Sequence, residues 1–185
     1  MNFNTEYEFK TIINEYVHNE LFRLLNWDEM YTQLNHYYDS TSFNLYKEGK
    51  SFRIREINDL KILQYKGKNK FSNADYKIRE EFEIIVNKRK EKYSNSEFDF
   101  CLYELNYIGK LKTIRKKISI GNFTLFLDEN FYLDYIDYEL EIETNKENII
   151  QCQKIFDLII SIFDINKNSK GKYSRFVEKY KKSEC

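Results

Sequence analysis

Polar and apolar residues alternate along several short stretches of this chain, and the alternation predicts a protein built mainly of β-strands. In Glu6-Tyr7-Glu8-Phe9-Lys10 successive side chains of a strand point to opposite faces, so Glu6, Glu8 and Lys10 share one face and Tyr7 and Phe9 the other. The same format returns with the charges changed. Residues 51–56 set Arg53 and Arg55 against Phe52 and Ile54, and residues 62–68 set Gln64, Lys66 and Lys68 against Leu63 and Tyr65. Residues 78–84 set Arg79, Glu81 and Glu83 against Ile78, Phe82 and Ile84, and residues 112–118 set Arg115 and Lys117 against Ile114 and Ile118. The strongest alternation, residues 138–143, places Glu139, Glu141 and Glu143 opposite Tyr138, Leu140 and Ile142. Two further strands are expected at 34–40 and 123–128, the second ending at Asp128 and entered through the hairpin turn Gly121-Asn122.

Helical spacing appears in three places. Tyr16, Val17, Leu21, Leu24 and Leu25 predict a helix over about 14–25, with Trp27 anchoring its end. A short helix is expected at 97–105, closed by Gly109, and a long amphipathic one at 147–163. Residues 87–96, rich in charge, Ser and Asn, read as a solvated turn. Alternating strands with two or three helices and no internal repeat indicate an α+β antiparallel sheet or barrel.

At 185 residues one domain spanning 1–185 is expected, and no linker composition suggests a second. Sixteen Tyr and fifteen Phe reinforce the strand reading. Thirty basic residues balance thirty acidic ones, so the total charge implies neither a nucleic-acid nor a membrane partner; any anion must be met by local clustering. Cys101, Cys152 and Cys185 have no metal-like or redox spacing, which fits a reduced, cytoplasmic chain. No basic-then-apolar leader opens the sequence, and its longest apolar stretch, near 155–163, is too short for a bilayer. His18, expected at the surface or near a helix cap, and His36 each lack a second ligand at helical spacing.

Alternation shows that each strand has two faces but not which of them meets water. A surface sheet with its charges outward is one solution. The polar rows, however, mix Lys and Arg with Glu and Asp and contain little Thr or Ser. If the sheet closes with this row inside, its cations need anions and its carboxylates need cations. A metal-bound polyphosphate meets both needs, because Arg and Lys suit phosphate oxygens and carboxylates suit a hard divalent ion.

The ordered set Glu6-x-Glu8-x-Lys10, Tyr37-x-Asp39-Ser40, Phe52-Arg53-Ile54-Arg55, Lys66, Arg79-x-Glu81-x-Glu83, Thr113-x-Arg115, Leu127-Asp128, Glu141-Ile142-Glu143 and Lys172 resembles the CYTH superfamily of class IV adenylyl cyclases and thiamine triphosphatases, also called triphosphate tunnel metalloenzymes. The resemblance implies a closed eight-stranded antiparallel β-barrel forming a tunnel, with helices packed outside, a small-molecule triphosphate substrate and Mg²⁺ or Mn²⁺. By position it assigns phosphate contacts to Lys10, Arg53, Arg55, Lys66, Arg79, Arg115, Lys117 and Lys172. Metal contacts fall to Glu6, Glu8, Asp128, Glu141 and Glu143, with Glu6, Glu8 and Lys10 nearest the chemistry. Glu81, Glu83, Glu139 and the choice between Lys170 and Lys172 stay open. Asp137 stands where the family often has Gly, and Glu139 is an added carboxylate. Hydrolysis releasing orthophosphate is the leading expectation, against cyclisation of ATP to cyclic AMP or polyphosphate binding without catalysis. A monomer or homodimer is expected.

Overall fold

The computed structural model describes residues 2–67, 76–98, 101–168 and 170–183, and at strand positions 2, 3, 4, 6, 77 and 79 the backbone alone. Among the described residues nine strands form one antiparallel sheet: β1 (Asn2–Ile13), β2 (Glu29–Asp39), β3 (Ser51–Ile57), β4 (Leu60–Lys66), β5 (Lys77–Ile85), β6 (Lys92–Tyr93), β7 (Leu105–Ile120), β8 (Phe123–Tyr132) and β9 (Tyr135–Thr144). The same residues hold four α-helices: α1 (Glu15–Leu24), α2 (Asn44–Lys47), α3 (Ile149–Ile162) and α4 (Lys172–Ser183). The protein is therefore α+β, as its patterning predicts. The strand order is β2-β3-β4-β5-β1-β9-β8-β7-β6, and β2 pairs a second time, with β7, from Glu29↔Lys117 to Asp39↔Asn106.

The face question has an unambiguous answer. Much of the apolar row is buried under helices and connecting segments, while Glu8, Lys10, Arg53, Arg55, Arg115 and Glu141 of the charged row line one cavity. Phe9, on the outer face of β1, is fully buried and meets Phe156 of α3 with ring centroids 5.6 Å apart. Burial of a side chain of this size is worth about 1.5–3 kcal/mol. Around it Ile13, Leu127, Leu140 and Ile142 complete one core with α1 and α3. A second cluster packs Tyr38, Phe52, Ile54 and Leu63 under Tyr93, Cys101 and Leu105. The third joins Tyr37 and Leu111 to Tyr173, Phe176 and Val177 of α4.

Local chemistry explains several boundaries. Asn14 caps α1, its side-chain oxygen accepting from Val17 N at 2.9 Å. Gly121, with φ +57°, makes the tight β7–β8 turn expected from Gly121-Asn122. His18 is not at the surface: its ring is buried against Tyr138, 4.7 Å between centroids, with Lys116 Nζ 3.3 Å from Nε2. Cys101 and Cys152 are buried free thiols. Among the described residues no helix is long and apolar enough to cross a membrane.

Among the described residues of the expected helix at 97–105 none is α-helical. A single 3₁₀ turn, Asn95–Glu97, caps itself with a reciprocal Ser94–Glu97 box, and the chain then enters β7. The aromatic residues of this segment, Phe98, Tyr103 and Tyr107, are drawn onto the outer face of the sheet instead of into a helix stripe. Gly109 is consequently no helix terminator but part of a bulge. The β2–β7 register slips there, Tyr37 facing Gly109 and Tyr38 facing Tyr107. Gly109 has φ +143°, and a Cβ on it would stand 2.6 Å from Cζ of the buried Phe176. Gly109→Ala is expected to destabilise the fold by about 3 kcal/mol, from backbone strain and overpacking together. Urea denaturation of the purified variant measures it; a midpoint equal to the parent's would contradict this account of the bulge.

Candidate active site

The strands carry their inward rows around one cavity of about 770 Å³, counted out to its open mouth. Glu8, Lys10, Arg53, Arg55, Lys66, Arg115, Glu141, Glu143 and Lys172 all line it. These nine positions come from six elements, and cross-strand register brings them together. Lys10 lies opposite Glu141, Glu8 opposite Glu143, and Arg115 opposite Asp128, which in turn faces Glu139. Tyr37, Lys50 and Tyr173 also line the cavity, a contribution that strand alternation alone did not single out.

The two sides of the cavity differ in charge balance. On the β7–β8–β9 side, acids and bases are interlocked. Arg115 grips Asp128 with two parallel bonds, Nε to Oδ1 at 2.7 Å and Nη2 to Oδ2 at 2.6 Å, and reaches Glu141 as well. Lys10 Nζ is 2.9 Å from both Glu8 and Glu141. Lys172, sent in from α4, places its Nζ 2.8 Å from Asp128, 3.0 Å from Glu141 and in contact with Glu139. Burial works against every one of these charges, and the outcome depends on the partners. Arg115 is held above its ordinary value by Asp128 and Glu141, and Lys172 is raised by Asp128, Glu139 and Glu141. Glu141 is held well below the carboxylate range by Lys10, Lys172 and Arg115, and Asp128 is lowered by Arg115 and Lys172. For Glu139 burial wins over Lys172 and Arg175, and its carboxyl is pushed up.

On the β3 side the two arginines are held by neutral groups. Arg53 Nε donates to Gln64 Oε1 at 2.6 Å, and Gln64 in turn donates to Glu83. Arg55 Nε donates to Asn35 Oδ1 at 3.2 Å. Among the described residues no carboxylate stands within ion-pair distance of either guanidinium. Burial, reinforced by Arg53 and Arg115, lowers Arg55 to about 10. Lys66, next along the row, pairs with Glu81 at 3.0 Å.

The remaining expected residues separate by depth. Asp128 is fully buried and does not line the cavity; with Glu139, also fully buried, it lies beneath Lys172 and Arg115. Lys117 shares a row with Arg115 but sits at a half-exposed edge paired with Glu29 at 2.8 Å, outside the lining. Lys172 enters the cavity, whereas Lys170 forms a surface pair with Glu178. Glu6 and Arg79 face one another in the β1–β5 register; their side chains, and all of Lys68, lie outside the described residues. His36 is 3.6 Å from Glu56 and joins no carboxylate cluster.

Arg175 was not anticipated. It clasps Asp137 from Nε and Nη2 at 2.8 and 3.0 Å and also reaches Glu139, so the two acids that depart from the family pattern hold α4 in place. Its spacing of three from Lys172 puts both cations on one helix face, the sequence signal available for it.

Asp128, Glu139 and Glu141 bring carboxylate oxygens within 4.8 Å of one another, a cluster of hard donors suited to a cation. Lys172 Nζ touches all three, so its ammonium already neutralises that nest. Glu8, Glu141 and Glu143, by contrast, present carboxylates to the cavity itself.

A model of the CYTH domain matches residues 4–172. The chain belongs to the CYTH domain family. The CYTH resemblance read from its motifs is thus borne out over most of its length. This CYTH chain is similar to YjbK of Bacillus subtilis (strain 168), a protein provisionally named a triphosphatase, with 26% identity over 193 residues covering 96% of this chain and 97% of YjbK. Among solved structures, a Bacillus halodurans protein provisionally assigned as an adenylate cyclase superposes with a TM-score of 0.74 at 23% identity, covering 95% of this chain and 99% of that one. HpAC1 of Hippeastrum, provisionally named an adenylyl cyclase and described as having a dominant triphosphatase activity, gives 0.73 at 20% identity, with coverage of 94% and 95%. The structural likenesses establish the CYTH fold.

Proposed function

We propose that this CYTH protein is a metal-dependent hydrolase that removes orthophosphate from a small-molecule triphosphate, working as one unit over residues 1–185. The ring of pairings through β2, β3, β4, β5, β1, β9, β8, β7 and back to β2 acts as a closed barrel whose bore is the reaction chamber. One observation carries the reading: Arg53 and Arg55, with no carboxylate at ion-pair distance among the described residues, line the same cavity as Glu141, which Lys10, Lys172 and Arg115 hold ionised. Such a chamber is complementary to a polyanion that arrives with a divalent cation.

In this reading Arg53, Arg55 and Lys66 orient the phosphate chain, with Lys172 and Arg115 completing the grip from the opposite side. Mg²⁺ or Mn²⁺ fits the all-oxygen donor set of Glu8, Glu141 and Glu143, and when bound would neutralise phosphate oxygens and polarise phosphorus. Asp128 and Glu139 set the positions of Arg115 and Lys172. A carboxylate oxygen of Glu8, steadied by Lys10 Nζ, accepts a hydrogen bond from the water that attacks phosphorus in line with the departing bridging oxygen. The relative named a triphosphatase and the dominant activity described for HpAC1 support hydrolysis over cyclisation.

The test is a panel of inorganic triphosphate, thiamine triphosphate, ATP and GTP, each with Mg²⁺ and with Mn²⁺. Orthophosphate release from at least one substrate, abolished by chelator, is expected. Cyclic AMP as the main product from ATP would overturn the hydrolase reading. Tight triphosphate binding without turnover under every condition would make the chain a binding module.

A further inference from the structure

Two features of the cavity, the backbone of one helix turn and a tyrosine hydroxyl, play no part in the grip described above. The first turn of α4 opens onto it, with Gly171, Lys172, Tyr173 and Ser174 all in the lining. The Gly171 carbonyl accepts the first bond of the helix, from Arg175 N at 3.1 Å. The backbone N–H groups of Lys172, Tyr173 and Ser174 therefore have no carbonyl one turn behind them. At twelve residues, α4 is long enough for its dipole to favour negative charge there.

The second feature is Tyr37. Its side chain is 1% exposed and lines the same cavity, yet its hydroxyl has no hydrogen-bond partner among the described residues. Its ring rests against Tyr173 and Phe176 of α4, centroids 5.1 and 5.3 Å away, in the same cavity that the first turn of that helix lines. Nearby phenols are satisfied: Tyr173 donates to Asp39 and Tyr132 to Asp137. A buried hydroxyl without a partner is costly, and phenylalanine would fill the same space without the cost. Asp39 also accepts from Leu45 N and Tyr46 N at 2.9 and 3.0 Å, so one fully buried carboxylate ties α2 to the start of α4 and fixes the geometry of this corner.

We infer that the first turn of α4 and the Tyr37 hydroxyl form a seat for one phosphoryl group of the substrate, with the N–H groups of Lys172, Tyr173 and Ser174 and Tyr37 Oη all donating to its oxygens. The inference rests on the triphosphate reading and adds a neutral, directional part to it. The three backbone N–H groups can only donate and the Tyr37 hydroxyl is able to donate beside them, which favours an oxyanion over a neutral polar group. The charged residues supply attraction, while this corner supplies orientation. A positioned set of neutral donors holds a tetrahedral phosphoryl group in one rotation, as in-line displacement requires.

The experiment uses the full chain, labelled with ¹⁵N, and inorganic triphosphate in the presence of chelator. Saturable shifts of the Lys172, Tyr173 and Ser174 amide signals are expected in the parent. Tyr37→Phe is expected to bind triphosphate roughly tenfold more weakly, the loss of one hydrogen bond to a charged group, while melting no lower than the parent without ligand. Amide signals that stay in place as triphosphate saturates the protein, or a Tyr37→Phe variant that binds as the parent does, would overturn the seat. Turnover by the parent separates the two readings. Hydrolysis without the amide shifts removes the seat alone, shifts without hydrolysis remove the hydrolase reading alone, and an absence of triphosphate binding removes both.

Discussion

Arg55→Ala is expected to lower kcat/KM for triphosphate by about 10²- to 10³-fold and, without ligand, to raise the melting temperature. The two effects have one cause. Arg55 is a cation whose charge is opposed by burial, by Arg53 and by Arg115, and whose hydrogen-bond partner is the neutral side chain of Asn35. Among the described residues no carboxylate stands at ion-pair distance from Arg55, and its removal relieves repulsion from Arg53 and Arg115. With a triphosphate bound, the same guanidinium has phosphate oxygens to meet, and each charge-assisted hydrogen bond is worth about 1.5–3 kcal/mol. Two such bonds account for the expected loss, since about 1.4 kcal/mol corresponds to tenfold. Arg55→Lys keeps the charge without the planar fork and should fall between parent and alanine variant. Steady-state kinetics with inorganic triphosphate, beside a thermal melt, provides the check. Unchanged kinetics in a less stable variant would make Arg55 a structural residue and remove the basic half of the grip.

Much of this arrangement was legible in the amino-acid order because alternation is local. The period of two placed Lys10, Arg53, Lys66, Arg115 and Glu141 on one kind of face, and the mixture of signs on that face argued for an interior. Depth was not legible. Glu139, Glu141 and Glu143 look equivalent along β9, yet Glu139 is sealed under Lys172 and Arg175 while Glu143 lines the cavity. Lys117 repeats Arg115 two residues on and ends beside Glu29. How far along the bore each residue lies depends on register accumulated across many strands, a long-range property that no single strand encodes. Two short features escaped for the opposite reason. The four residues of α2 form because Ser40 and Asp39 accept the N–H groups of Asn44, Leu45 and Tyr46, and the bulge at Gly109 forms because Phe176, 67 positions later, needs the space. Each is specified by a partner outside its own segment.

The other large effect concerns the opposite wall. Glu141→Gln should cost about 3 kcal/mol of stability at pH 7 in chelator and reduce turnover by at least about 10²-fold. One carboxylate answers three cations here: Lys10 at 2.9 Å, Lys172 at 3.0 Å and Arg115. An amide of the same shape leaves those three buried charges with less compensation. The pH dependence provides an independent check. Burial would raise the Glu141 carboxyl, but Lys10, Lys172 and Arg115 hold it well below its ordinary value of 4.5. A depressed folded value means that the carboxylate's contribution is fully present above about pH 4.5 and is lost as the pH falls through the folded value. The stability gap between parent and Glu141→Gln should therefore be widest near neutrality and narrow in acid. Urea denaturation of both proteins at pH 7 and pH 3, in chelator, measures the gap. The two roles of this residue then separate by what is added back. Raising Mg²⁺ or Mn²⁺ should recover part of the lost turnover, because Glu8 and Glu143 remain in the cavity, but it should not recover the lost chelator-measured stability, which belongs to the ion-pair network. A gap that stays constant with pH would mean that Glu141 is not the electrostatic keystone of this wall, and the proposed division between a gripping side and an acid side would fall with it.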